Sequence, residues 1–341
     1  MKAKPLGVTI LYDSEEDVWW QEQRQNGEAA DDPPVHVFLG EALAARGFKV
    51  KKLAATPDIP RLARQLKSDR SDVIFNICDG LDGDFHGAIR VAALLELLGK
   101  PFTGSGAEAM AIAQDKVLSK QLFAYYGVPS PRFRLMEMGC RSWEGGLAFP
   151  VIVKPTNEDA SYGIDDEAVV HAAEELIARV AYVHDSLRKH ALIEEYIEGR
   201  EIYVPILGND PPQVLPLLEW KLAAVPGRGR IASYGAKWDR SHASYQEVAD
   251  SFADDLDPET ARRIEDMAIK AYRAHRVADY ARVDLRLAAD GTPYFLEINS
   301  NPFLDPTAEV AMAAARTGLD YGALAETIVR LALERYRARI A

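Results

Sequence analysis

The chain is poor in cysteine: Cys78 and Cys140 are the two among 341 residues, far apart and in no metal-like spacing, so neither a disulfide framework nor a zinc site has support. It also lacks any run approaching the ~18 apolar residues of a membrane span, and residues 1–10 enter a strand-like pattern without a cleavage signature. The expected location is the cytoplasm, with no membrane partner. Basic residues are the minority, 40 Lys and Arg against 52 Asp and Glu, a formal net charge of −12. That balance argues against a nucleic-acid surface, and it means that any polyphosphate ligand must be held by a few placed cations and a metal. No G-x-x-x-x-G-K-[ST], H-E-x-x-H or C-x-x-C occurs, and the histidines are scattered, each reading as surface or core.

What is present is an ordinary globular balance, 48% hydrophobic and 27% charged, in a chain long enough for two or three packed units. The first hundred residues alternate: an apolar strand over 6–12, a helix over 35–46 stopped by Gly47, a strand over 48–53 and a helix over 60–67. A strand over 72–77, a helix over 87–98 and a short strand over 101–103 follow. This βαβα order predicts a parallel sheet covered on both faces. The polar stretch 13–34 reads as a loop or lid. A second unit is expected from a helix over 115–126, a strand over 149–154, a small loop over 156–163, a helix over 166–180 and a strand over 191–197. The remainder predicts strands over 202–207 and 214–220, a basic segment over 221–246, a helix over 258–276, a hairpin and a C-terminal helix. The expected domains are 1–112, 113–200 and 201–341.

The hairpin carries the strongest local signal. Asp290-Gly291 between two alternating runs predicts a two-residue turn with Ala289 facing Thr292. Counting back pairs Leu285 with Leu296, Val283 with Ile298, Asp284 with Glu297 and Arg282 with Asn299. One face is then apolar, and the other sets two carboxylates opposite each other, roughly 5 Å apart at Cβ, which is destabilising unless a cation lies between them. Magnesium takes oxygen ligands, so Asp284, Glu297 and the Asn299 amide oxygen form a candidate metal set. The alternative is a solvated face neutralised by Arg282 and Arg286. The Asn-Ser-Asn-Pro sequence that follows favours the metal.

Lys154 ends an apolar strand just before the small loop, where backbone N–H groups could close over a phosphate and the lysine could reach it; a solvated lysine beside a surface turn is the other reading. Lys116 and Lys237 are weaker candidates taken alone. Gly104-Ser105-Gly106-Ala107-Glu108-Ala109 matches a dinucleotide fingerprint, but no acidic residue lies in 124–130, where that reading requires one.

Taken together, the segments resemble the D-alanyl-D-alanine ligase branch of the ATP-grasp superfamily, from about Asp72 to the end. The resemblance rests on Leu94 to Gly106, Asp115-Lys116, Pro150 to Pro155, Glu194 to Glu201, Ala236-Lys237-Trp238, Ala281 to Asp284 and Leu296 to Pro302, in that order. It implies an α/β (α+β) ATP-grasp fold, with an N-terminal Rossmann-like parallel sheet domain followed by central and C-terminal α+β domains. It also implies ATP and magnesium, with manganese able to substitute, small-molecule carboxylate and amine substrates of the amino-acid kind, and a homodimer. By resemblance, Lys116 and Lys154 contact phosphates, Glu194, Glu195, Tyr196 and Ile197 receive adenine, Glu201 holds ribose, and Glu158, Ser161 and Leu296 complete the nucleotide site. Lys237 reaches the γ-phosphate and Arg282 stabilises the acyl phosphate and tetrahedral intermediate, with Ser161 and Glu16 counted beside them as catalytic. Asp284, Glu297 and Asn299 carry the metal. The segments 158–163 and 229–245 resemble lids that exclude water.

Departures from the pattern gather on the substrate side. Asp13-Ser14-Glu15-Glu16 stands where the family has a glycine-rich motif, and Cys78 to Asp84 replaces an expected His-Gly and Glu-Asp-Gly pair. Ala160 and Trp238 replace a serine and a tyrosine, while Phe303 and Ala308 stand where a glycine and a carboxylate-binding serine are expected. The reading is an ATP-dependent carboxylate-amine ligase with a substrate pair other than two D-alanines. The alternatives are a genuine D-alanyl-D-alanine ligase, an ATP-binding module without catalysis, and a Rossmann-type oxidoreductase.

Overall fold

The computed structural model describes residues 5–25, 33–157, 161–221, 231, 233–235 and 249–340. Three parallel strands, β1 (Gly7–Asp13), β2 (Lys49–Ala55) and β3 (Val73–Asn76), form the first sheet in the order β2-β1-β3. The strand expected over 101–103 is reduced to one parallel bridge, Phe102 to Ile74. The polar stretch read as a loop holds a helix, α1 (Ser14–Gln25). Asp13 accepts a hydrogen bond from the Glu15 N–H at 3.0 Å, and Glu15, Glu16 and Asp17 fill the first turn, where the helix dipole favours acids. Polarity there marks a helix with water on it. Helices α2 (Val35–Ala45), α3 (Ile59–Ser68) and α4 (His86–Leu97) follow their predicted positions.

Helices α5 (Ala107–Gln114) and α6 (Lys116–Tyr125) lead into an antiparallel sheet of β4 (Phe133–Met136), β5 (Val151–Pro155), β6 (Val169–Val170) and β7 (Ala191–Glu195), ordered β4-β7-β5-β6. The helix expected over 166–180 begins later, as α7 (Ala173–Asp185). The buried pair Val169 and Val170 extends the sheet beside β5, and the Glu175 carboxylate accepts from the His171 N–H at 2.7 Å to start the helix after it.

The third sheet comprises β8 (Gly199–Leu207), β9 (Gln213–Val214), β10 (Leu218–Lys221), β11 (Ala249–Phe252), β12 (Tyr280–Ala288) and β13 (Pro293–Asn299), ordered β11-β10-β8-β12-β13 with β9 on β8. Helix α8 (Pro258–Ala274) packs on it, its start capped by Asp257. The chain ends in two helices, α9 (Glu309–Arg316) and α10 (Tyr321–Ile340), where one was expected. They return to the first sheet: Val310, Leu324, Ile328 and Val329 share a core with Val8, Ile10, Val73 and Phe75.

The β12–β13 hairpin departs from its predicted register in one place. Arg282 pairs with Asn299, Val283 with Ile298 and Asp284 with Glu297 as expected, but Leu285 then pairs with Phe295. The turn has three residues, because Gly291 alone takes the left-handed conformation, at φ +79°, and Ala288 bonds to Thr292. The surplus residue is absorbed as a β-bulge at Leu296.

Candidate active site

That bulge builds the site. In an unbroken strand Leu296 and Glu297 would point to opposite faces; here both line one cleft of about 760 Å³, counting space open to solvent, between the second and third sheets. Ile152 and Lys154 enter from β5, Glu194 and Glu195 from β7, Glu201 from β8, and Asp284 and Arg286 from β12. Tyr196, Ile197 and Ser161 come from loops, and Lys116 from the first turn of α6. Asp115 caps that helix by accepting from the N–H groups of Val117 and Leu118, which fixes where Lys116 stands.

Cations and carboxylates alternate through the cleft. The Glu194 carboxylate sits between two ammonium groups, Lys120 Nζ at 2.7 Å and Lys154 Nζ at 2.9 Å. Burial works against the ionised carboxylate, yet Lys120 and Lys154 outweigh it and hold Glu194 down at about 2. Burial conversely lowers the pKa of Lys120, against the pull of Glu194. Lys116 Nζ lies 3.0 Å from Glu297. Arg282 forks onto Asp284 at 2.7 and 2.8 Å, with Glu309 at 3.0 Å on its other side. Although burial opposes its charge, Asp284 and Glu309 keep this guanidinium ionised well above the usual arginine range. Arg282 thus sits just behind the cleft wall, over the Tyr203 ring.

Of the residues singled out from sequence, Lys116, Lys154, Ser161, Glu194, Glu195, Tyr196, Ile197, Glu201, Asp284, Leu296 and Glu297 all line this one cleft. Asn299 adjoins it, its amide donating to Asp284 at 3.3 Å. Glu16 lies elsewhere: its carboxylate accepts from the Val35 N–H at 2.9 Å and faces His36 at the start of α2. Glu158 and Lys237 lie outside the described residues. Sequence reasoning passed over Lys120 and Glu309, and took Arg286 only as a neutralising charge on a solvated face. Lys120 follows Lys116 by four positions, one helical turn, and Arg286 continues the alternation of Arg282 and Asp284 along β12; both spacings were legible. Glu309 comes from a distant helix and left no local signal.

The donor set fits a hard divalent cation. Among the described residues no group of three or more His, Cys, Asp or Glu could hold a metal. What Asp284, Glu297 and Asn299 offer is two carboxylates and an amide beside the ammonium groups of Lys116 and Lys154 in the same cleft. Magnesium characteristically binds through one or two carboxylates and shares the remaining positions with phosphates and water.

Residues 122–330 match the family described as D-ala D-ala ligase C-terminus. The chain belongs to the D-alanyl-D-alanine ligase family. It is 33% identical over 299 residues to the D-alanine–D-alanine ligase of Desulforudis audaxviator, covering 86% of this chain and 91% of that one. It is also 36% identical over 266 residues to an uncharacterized protein, y4sG, of Sinorhizobium fredii, covering 78% and 76%. The crystal structure of the D-alanine–D-alanine ligase from Bacillus anthracis complexed with ATP aligns over 98% of this chain and 99% of its own, with a TM-score of 0.73 at 21% identity. The fold is the ATP-grasp fold expected from sequence, with its parallel sheet in the N-terminal region.

Against that ligase family, the residues of the discounted dinucleotide fingerprint have a visible job. Gly104, at φ +81°, leaves the space that the Asn301 side chain fills, and its N–H donates to Asp279 at 2.9 Å. Ser105 donates to the Ser300 carbonyl at 2.7 Å. The segment ties the first sheet's side of the molecule to the Ser300-Asn301 turn that follows β13. Beyond that loop Phe303 stands 56% exposed, Ala308 caps α9 without a side-chain bond, and the Thr307 hydroxyl is spent on Asp305 at 2.6 Å.

Proposed function

We propose that the cleft binds ATP with magnesium and that the chain joins a carboxylate to an amine, using a substrate pair other than two D-alanines. An ATP-dependent ligase of this family releases ADP and phosphate. In the proposed sequence, the substrate carboxylate attacks the γ-phosphorus and ADP leaves. The amine then attacks the acyl carbon, and phosphate departs as the amide forms. Lys116 and Lys154 bind the phosphates, and the strand end from Glu194 to Ile197 receives the adenine. Arg282, kept charged by Asp284 and Glu309, stabilises the negative charge that develops on the acyl phosphate and on the tetrahedral oxygen. Asp284, Glu297 and Asn299 would hold magnesium, which supplies charge neutralisation between the phosphates. The roles assigned to Glu16, Ser161, Glu158 and Lys237 remain part of the proposal.

The observation that carries the reading is the meeting, in one cleft, of Lys116, Lys154, Asp284 and Glu297 from four different elements. The altered substrate pair is supported by the substrate-side residues: neither Ala308 nor the occupied Thr307 hydroxyl reproduces the carboxylate-binding serine of the pattern. A second reading, a genuine D-alanyl-D-alanine ligase, is favoured by the names of the relatives. An ADP-release screen over a matrix of acids and amines, with mass detection of the product, decides between them. With D-alanine alone, phosphate release is expected to stay near background, and robust dipeptide formation at millimolar D-alanine would establish the second reading.

A further inference from the structure

Along β12 the side chains of Arg282, Asp284 and Arg286 alternate onto one face of the sheet. The first two serve the metal and phosphate end. Arg286 lies one step further along, directly opposite Glu201 in the β12–β8 register. Both line the nucleotide cleft, and both are nearly out of solvent, at 5% and 6% exposure. Arg286 Nη2 meets Glu201 Oε2 at 3.1 Å, while its Nη1 donates to the Gly199 carbonyl, also at 3.1 Å. The second carboxylate oxygen, Oε1, accepts from the Tyr203 hydroxyl at 3.1 Å. Glu201 is therefore clamped from two sides by donors on two strands.

A clamp of this kind leaves acceptor capacity. Each oxygen of an ionised carboxylate accepts about two hydrogen bonds, so with one donor each from Arg286 and Tyr203 both oxygens can accept once more. Two acceptors at carboxylate spacing suit two neighbouring hydroxyls, the pattern a ribose presents and a dideoxyribose does not. The planar guanidinium is held by both arms, one nitrogen on Glu201 and the other on the Gly199 carbonyl, a fixed placement that a single ammonium does not reproduce.

The geometry points to Arg286 as a positioning residue that aims the Glu201 carboxylate at the vicinal hydroxyls of the nucleotide sugar, making the preference for ribonucleotides depend on a residue that need not touch the sugar. This rests on the reading of the cleft as an ATP site. A plain cross-strand pair inside the sheet would make a different prediction: its loss would weaken every nucleotide alike.

The test is calorimetric titration of the full chain with magnesium and either ATP or 2′,3′-dideoxyATP, without carboxylate or amine substrate. Wild type is expected to bind ATP at least about tenfold more tightly than the dideoxy analogue, the scale of hydrogen bonds to a charged acceptor. Arg286→Met should bring the ratio to within about twofold, by weakening ATP while the dideoxy analogue holds its affinity. Arg286→Lys, which keeps the charge without the two-armed hold on Glu201 and Gly199, should fall between the two, and it carries the test if the Met variant fails to fold. A ratio unchanged from wild type in the variants, or equal weakening of both nucleotides, overturns the inference and leaves the ATP reading standing. Failure of wild type to bind ATP overturns both.

Discussion

Asp284 and Glu297 face each other across β12 and β13, and each carries its own cation: Arg282 forks onto Asp284 at 2.7 and 2.8 Å, and Lys116 meets Glu297 at 3.0 Å. Two carboxylates in direct opposition repel unless positive charge is supplied. Here it arrives from a neighbouring residue of the same strand and from the first turn of a distant helix, so the residues proposed for phosphate and for metal form one electrostatic unit.

Removing a phosphate-seeking cation should therefore be felt as nucleotide affinity. Lys116→Met and Lys154→Met are each expected to weaken ATP binding about tenfold to a hundredfold, the range of one charge-assisted hydrogen bond. Isothermal titration with magnesium present checks this, and wild-type affinity in both variants would remove them from the phosphate site.

Lys120 should matter to stability. Its ammonium is buried against Glu194, which retains Lys154 as a second partner. Breaking one side of a buried ionic group typically costs about 3 to 5 kcal/mol, so Lys120→Met should lower the unfolding free energy on that scale in urea titration. Adding Glu194→Gln should cost less than the sum of the two single changes, because the pair shares one interaction. Near-wild-type stability of Lys120→Met would show that the Lys154 partner alone suffices.

A pH signature is expected from Asp79, beside the first sheet. Its side chain reaches solvent, yet desolvation by surrounding protein, followed by the nearby Asp13, Glu16 and Glu15 carboxylates, pushes its carboxyl from 3.8 up to about 6. Below the unfolded value the group is protonated in both states and costs nothing. As pH rises toward the folded value, the unfolded chain releases its proton first, so stability falls, and above it the loss is complete. Asp79→Asn should raise the thermal midpoint at about pH 7.5 and leave it unchanged at about pH 3.5. An equal shift at both values would contradict the assignment.

Much of the fold was legible because periodicity and punctuation agree. Gly47 stops α2, Gly127 closes the turn after α6, and Asp115 and Asp257 cap helices where the patterns begin. The site was legible where its residues share a strand or a short motif, as in Arg282-Val283-Asp284 and Leu296-Glu297. It failed where a local rule met a competitor. Asp290-Gly291 predicts a two-residue turn in an unbroken ladder, but Asp290 accepts from the Thr292 N–H at 2.8 Å and Gly291 alone turns left-handed, and the register is recovered by a bulge at Leu296. Polarity hid α1, because a helix resting on water needs no apolar stripe. Glu309 was out of reach, since nothing local predicts that α9 returns its first residue to Arg282.

The most direct measurement is ADP release by Glu297→Gln at saturating magnesium, using the acid and amine pair the screen selects, with circular dichroism and thermal melting alongside. Glu297 is partly exposed and contributes through charge, so the fold should hold while turnover falls at least about a hundredfold, the scale of losing about 3 kcal/mol of transition-state stabilisation. A folded Glu297→Gln variant that releases ADP at the wild-type rate would contradict the assignment of this cleft as a metal-dependent ATP site.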